Sequence, residues 1–203
     1  MNKRTDIKLV KIVIYIILLS ATFARAEQML GPTYDISVPA GETRSFIKET
    51  SILGFGLDSR KMYRDNFSIG INFHWNSFKE NGLGLIEGEN KTTVTVEDRS
   101  MDLFPLMLSG HYYFGNPVDQ FRIFIGANAG VYFNISRYTQ DKYRYVNKTW
   151  HFGIAPEAGF LIDFIHDIKL MGTVRYNHGF ATSSSEARSW FNIFIGFVTV
   201  SLF

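Results

Sequence analysis

The chain contains no cysteine. Disulfide frameworks, thiolate zinc sites and cysteine nucleophiles are therefore excluded together. It also lacks an apolar run of membrane length, because residues 12–19 fall well short of the ~20 residues that a helical span requires. That short run follows Lys3, Arg4, Lys8 and Lys11 and precedes Ala24-Arg25-Ala26, so residues 1–26 read as a cleavable secretory signal. An excess of positive charge is missing as well. The chain has 21 Lys+Arg and 19 Asp+Glu, but residues 1–26 hold five of the former and one of the latter, leaving 16 against 18 in the remaining 177 residues. A net of −2 gives no support to nucleic-acid binding. Residues 27–203 make one domain, with no room for a second of ordinary size.

What the chain does have is alternation. In residues 67–76, Phe67, Ile69, Ile71, Phe73 and Trp75 alternate with Ser68, Gly70, Asn72, His74 and Asn76. Period two is the mark of a strand with one apolar face. The polar set is small and neutral, suited to a confined wet space rather than bulk water, which predicts a narrow barrel with its apolar face in lipid.

The same pattern recurs along the chain and predicts eight strands. Their approximate ranges are 33–38, 51–63, 67–76, 106–114, 121–136, 150–163, 169–177 and 190–203. The links near 63–66, 115–120 and 164–167 are short, whereas those near 39–50, 79–101, 139–148 and 180–189 are longer and polar. Short periplasmic turns and long external loops are the asymmetry of outer-membrane barrels, which places both termini in the periplasm and requires an even strand count.

The signal segment, the hairpin FGLDSRKMYRDNFSIGINFHWNSF, the strands FPLMLSGHYYFG and GIAPEAGFL and the terminal Phe203 resemble the outer-membrane protein β-barrel domain family, the small eight-stranded barrels of the OmpA and OmpX type. The resemblance covers residues 31–203. It implies an all-β, eight-stranded antiparallel up-and-down transmembrane barrel in a Gram-negative outer membrane, in contact with outer-membrane lipids and lipopolysaccharide. It also implies insertion by Bam-type machinery that reads Phe203 and, on the same parity, Phe197. The expected function is non-enzymatic and needs no cofactor, acting in envelope structure or at the surface through a partner of residues 79–101. Two other readings stand beside it. One is a narrow conduit or binder for a small apolar molecule, using space beside the inward Gly54, Gly56, Gly70, Gly126 and Gly130. The other is a soluble lipocalin-like carrier, the inside-out version of the same alternation.

Chemistry-bearing residues are sparse. His74, His111 and His151 share the polar parity, but the strand scheme sets them at different heights and does not converge them on a metal. Serines 183–185 lie in a loop without a nucleophile motif, so no hydrolase is expected. Trp75, Tyr112, Phe114, Trp150, Tyr176 and Trp190 fall near strand ends, as interfacial girdles do. Pro156 predicts a bulge in the sixth strand, since proline lacks the ladder N–H. A turn centred near residue 166 pairs residues whose numbers sum to 332, setting Glu157 opposite Arg175 and Asp163 opposite Lys169 on the lumen face. Such partners have Cβ atoms about 5.5 Å apart, within reach of an ion pair.

Overall fold

A computed structural model describes residues 28–88, 91–140, 143–165, 167–182 and 185–201. Residues 1–26, His166 and Phe203 lie outside them. Among the described residues, eight strands follow one another around a closed ring: β1 (Gln28–Ala40), β2 (Gly54–Arg64), β3 (Phe67–Gly88), β4 (Lys91–Tyr113), β5 (Phe121–Gln140), β6 (Tyr143–Ile165), β7 (Ile168–Gly179) and β8 (Arg188–Ser201). Each pairs antiparallel with its sequence neighbours, and β1 closes on β8. A six-residue helix, α1 (Gly41–Phe46), lies between β1 and β2.

The alternation decides which face goes where. Phe55, Ile125 and Phe197 point outward and are each about half exposed, whereas Asp58 and Arg60 point inward and are 1% exposed. Leu, Ile, Val and Phe cover the outside of the ring in this way on every strand except where polar ends begin. A soluble carrier needs the opposite arrangement, so the inside-out reading of the alternation does not apply.

Both described ends of the chain fall at the end of the barrel that holds the short links 65–66 and 114–120 and the junction between Ile165 and Ile168. Register shifts at Met62/Arg64 and Asp163/Ile165 adjoin two of these turns. At the other end two of the four expected loops are ladder. Residues 79–101 continue β3 and β4 as a hairpin paired as far as Gly88 and Lys91, and residues 139–148 continue β5 and β6 as far as Gln140 and Tyr143. β4 and β5 stay paired up to Glu97 and Gln140. Four strands thus project as a sheet beyond the rim. The first strand is also longer than its clean alternation suggested, running from 28 rather than 33.

The proline expectation is corrected. No bulge occurs at Pro156: pairing with β5 is continuous, and pairing with β7 omits only Ala155 and Pro156 while the partners on either side keep the same register. The Ala155 carbonyl accepts from Asn128 Nδ2 at 2.8 Å instead. Gly31-Pro32 is skipped in the same way against β8, and Phe104-Pro105 against β3, again without a shift. A missing N–H therefore opens one seam for two residues, and the other seam holds the strand in place.

The interior is filled in three layers. Toward the tight turns Met29, Met62, Tyr113, Phe124, Leu161, Met171, Phe194 and Val198 form an apolar plug. Toward the projecting sheet Phe78, Met101, Leu103, Met107, Tyr132, Ala155 and Trp190 form another, capped by Ile47, which follows α1. Trp190 is fully buried there, so it belongs to this plug and not to the outer girdle. Parity accounts for it, since Phe191, Ile193 and Ile195 take the outward positions of β8. Charged and amide side chains occupy the space between the plugs.

Candidate functional site

The middle layer is organised on Glu157, whose side chain is fully enclosed. Arg175 Nε donates to Glu157 Oε2 at 2.6 Å, as its register place opposite Glu157 allows. Asn128 Nδ2 donates to the same oxygen at 2.9 Å. Glu157 Oε1 lies 2.6 Å from His111 Nε2 and accepts from Arg60 NH2 at 3.2 Å. Arg60 also reaches Asp58 Oδ1 at 3.4 Å, and Arg175 NH1 donates to Asn72 Oδ1 at 3.2 Å. The two guanidinium groups lie over aromatic rings of the plug beneath, Arg60 4.6 Å from the Phe124 centroid and Arg175 4.8 Å from that of Phe194. Buried cations held over ring faces regain part of the hydration they give up.

A second limb runs through His74. Its Nδ1 lies 2.7 Å from Asp35 Oδ2, and its Nε2 lies 3.2 Å from Asp58 Oδ2. Asn192 Nδ2 ties Asp35, Ser37 and Asn76 together from β8. His74 and His111 are therefore members of one chain of contacts through Asp58, Arg60 and Glu157, closer in function than their expected heights implied. Each ring lies across a glycine directly opposite on the next strand. A Cβ on Gly56 would come within 2.2 Å of the His74 ring, and one on Gly126 within 2.4 Å of His111. The space beside Gly54, Gly70 and Gly130 is likewise taken, by Asp35, Ser109 and Met107. His151 stands apart, between Thr149 Oγ1 and the Phe180 carbonyl.

The other residues singled out from the sequence lie at the periphery. Lys169 Nζ is 2.9 Å from Asp163 Oδ1 at the tight-turn rim, where Asp163 is 42% exposed and screening leaves the pair little weight. Phe197 faces outward with its ring 5.7 Å from Phe164. Trp75, Tyr112, Phe114, Trp150 and Tyr176 lie on the outer side, none of them pointing into the lumen. Phe133 and Trp150 meet at 4.6 Å, Phe55 and Trp75 at 5.0 Å, and Tyr112 and Phe114 at 5.2 Å near the opposite end.

Above the mouth, the projecting sheet has its own polar contacts. Tyr138 donates to Glu97 Oε1 at 2.6 Å, Arg99 NH2 donates to Glu97 Oε2 at 3.1 Å, and Arg99 NH1 caps the Phe46 carbonyl at the end of α1 at 3.2 Å. The Tyr138 hydroxyl, with help from Arg99, holds the Glu97 carboxyl below the usual carboxylate range. The same bond pushes the Tyr138 phenol up. Arg137 pairs with Asp102 on the outer face. A cavity of about 240 Å³ lies between α1 and this sheet, lined by Lys48, Glu80, Glu97 and Arg99 among others.

No protein-family model matches the sequence, and no curated protein does. Solved structures do. A major outer membrane protein from Thermus thermophilus aligns with a TM-score of 0.55 at 10% identity, over 87% of this chain and 100% of that one. Neisserial surface protein A aligns at 0.54 and 10% identity, over 86% and 96%. The chain has the fold of the small eight-stranded outer-membrane barrels. OprG from Pseudomonas aeruginosa is a further likeness, with a TM-score of 0.50 and 15% identity over 89% of this chain and 98% of that one. An outer-membrane barrel of eight strands encloses a space that side chains nearly fill. In this barrel the filling is an ion network with an apolar plug on each side.

Proposed function

We propose that the protein is a closed, non-enzymatic outer-membrane barrel that works at the cell surface through its projecting sheet, with both termini in the periplasm. The observation that carries this reading is the contrast between the two parts of the molecule. The lumen is stopped by Ile47, Trp190 and Tyr132 at one end and by Met29, Tyr113 and Phe194 at the other, while among the described residues β3 to β6 continue past the rim as paired strands. A conduit would use the space beside the inward glycines, and neighbouring side chains occupy it. The outward apolar band favours contact with outer-membrane lipids and lipopolysaccharide, and Phe197 with Phe203 supplies an end for Bam-type machinery to read. Two measurements test the reading. In planar bilayers the purified barrel is expected to give no stepwise conductance, and regular single-channel steps would overturn the closed lumen. An epitope placed between Gly88 and Lys91 is expected to be labelled on intact cells, and labelling only after the outer membrane is broken would reverse the orientation.

A further inference from the structure

Past the rim, the face of the projecting sheet that is turned toward α1 carries two rows of side chains running across four strands. Direct pairing sets Glu80, Arg99, Tyr138 and Tyr145 in one row. It sets Gly82, Glu97, Gln140 and Tyr143 in the next. Residues directly opposite share a face, so each row is continuous. With neighbouring strands about 4.8 Å apart, three gaps make the rows about 14 Å long. Their two ends differ in kind.

The β3–β4 end is polar and concave, and it holds the cavity of about 240 Å³ lined by Lys48, Glu80, Gly82, Glu97 and Arg99 among others. Arg99 is fixed in place there. Its NH1 donates to the Phe46 carbonyl at 3.2 Å and its NH2 to Glu97 Oε2 at 3.1 Å, while the guanidinium lies 5.9 Å from the Phe46 ring centroid and 5.5 Å from that of Tyr138. Glu80 is held likewise, by the backbone N–H of Lys48. The cations of Lys48 and Arg99 offset the carboxylates of Glu80 and Glu97, so the lining has no net charge. The β5–β6 end is aromatic. The Tyr138 and Tyr145 rings stack at 6.4 Å, and Tyr143 and Tyr145 are 71% and 63% exposed although they face the mouth and not lipid.

We propose that this face binds an uncharged, β-linked oligosaccharide, with one pyranose ring in the cavity and the following rings over the tyrosines. The proposal rests on the surface reading above. A pyranose offers pairs of neighbouring hydroxyls that both donate and accept, and an immobile guanidinium beside two carboxylates answers both roles. Equatorial substituents leave the ring faces of a β-linked chain flat and apolar, a match for exposed tyrosine rings. Such a chain repeats at close to the ~4.8 Å strand spacing, so successive rings fall on successive strands. The cavity is smaller than the ~300 Å³ at which drug-sized pockets begin, which suits a single ring. A polyanion is the poorer occupant. Its phosphates or sulfates would meet Glu80 and Glu97 with no surplus of cation to offset them.

The test uses the folded full-length barrel in nanodiscs of neutral lipid. The probes are cellotriose and chitotriose with their monosaccharides, glucose and N-acetylglucosamine, titrated by saturation-transfer NMR. Saturable binding of a trisaccharide is expected, tighter than that of its monosaccharide. A Cβ on Gly82 meets nothing within 4 Å, so Gly82→Leu can fold and put its side chain into the cavity. That variant, checked by its gel shift before boiling, is expected to bind monosaccharide and trisaccharide at least about tenfold more weakly. Tyr143→Ala with Tyr145→Ala is expected to weaken the trisaccharide by about threefold to tenfold while leaving the monosaccharide unchanged. Absence of saturable binding by both trisaccharides, indifference to Gly82→Leu, an equal loss of both ligand sizes in the tyrosine variant, or tighter binding of a heparin-derived trisaccharide would each overturn the proposal. A non-conducting, surface-labelled barrel that binds no trisaccharide removes the site and keeps the function above. A barrel that binds the trisaccharide but is labelled only after the outer membrane is broken keeps the site and overturns the surface reading.

Discussion

Replacing Glu157 with Gln should be among the most damaging single changes in the barrel. The carboxylate is fully enclosed and receives Arg175 at 2.6 Å, Arg60 at 3.2 Å, Asn128 at 2.9 Å and a contact from His111 at 2.6 Å. A glutamine amide keeps the volume but has one acceptor oxygen for two guanidinium groups, and its NH2 must face a donor. Removing one side of a buried pair costs roughly 3 to 5 kcal/mol, chiefly because the charge left behind is unpaired. The reciprocal change, Arg175→Met, should cost less, since Glu157 keeps Arg60 and His111. In the double variant neither half of the 2.6 Å contact is stranded, so the coupling should be about 2 kcal/mol in favour of the pair. Urea unfolding of the four proteins in lipid vesicles, followed by tryptophan fluorescence, measures all these terms. Additive single effects, or a milder loss for Glu157→Gln than for Arg175→Met, would refute Glu157 as the organising group.

Gly56→Ala should cost about 1 to 3 kcal/mol, because its methyl group displaces the His74 ring from between Asp35 and Asp58; Gly82→Ala, which meets nothing within 4 Å, is the control and should be neutral in the same unfolding assay. Deleting Phe203 should lower the amount of protein inserted in the outer membrane without altering the unfolding midpoint of the molecules that insert, and normal membrane levels would count against an assembly role. The contact between Tyr138 and Glu97 should persist at neutral pH and be lost in acid. A depressed folded-state carboxyl contributes above its unfolded value, near the ordinary 4.5, and stops contributing as pH falls through the lower folded value. Tyr138→Phe should raise the Glu97 titration point in an NMR pH series, and an unchanged titration would remove the hydroxyl as its cause.

Faces and registers were readable in the sequence because each follows from a local rule. Alternation separates lipid from lumen, and a turn near 166 sets Glu157 opposite Arg175. The projecting sheet was not readable for a reason of the same kind. Past the rim neither face meets lipid or a plug, so residues such as Lys79, Glu80 and Asn81 lose the apolar alternation while their backbones stay paired. Trp190 was misplaced when nearness to a strand end was given more weight than its parity with Asn192. Asp58 and Arg60 had the inward parity, but their meeting with Glu157 depends on how far the strands shear around the ring, which no single segment encodes.

The ion pairs of the β6–β7 hairpin bear on how the barrel is built. Its described inward carboxylates and cations are Glu157 and Asp163 on one strand and Arg175 and Lys169 on the other, each facing its opposite. The hairpin is therefore electroneutral on its lumen side before the ring closes. A strand pair delivered to the bilayer in this state carries two dipoles where unmatched strands would carry bare ions, so the dehydration of charge can be met inside the hairpin itself. Exchanging Glu157 with Arg175 would keep that neutrality, whereas moving either charge to β5 or β8 would leave an ion to wait for a partner that arrives later.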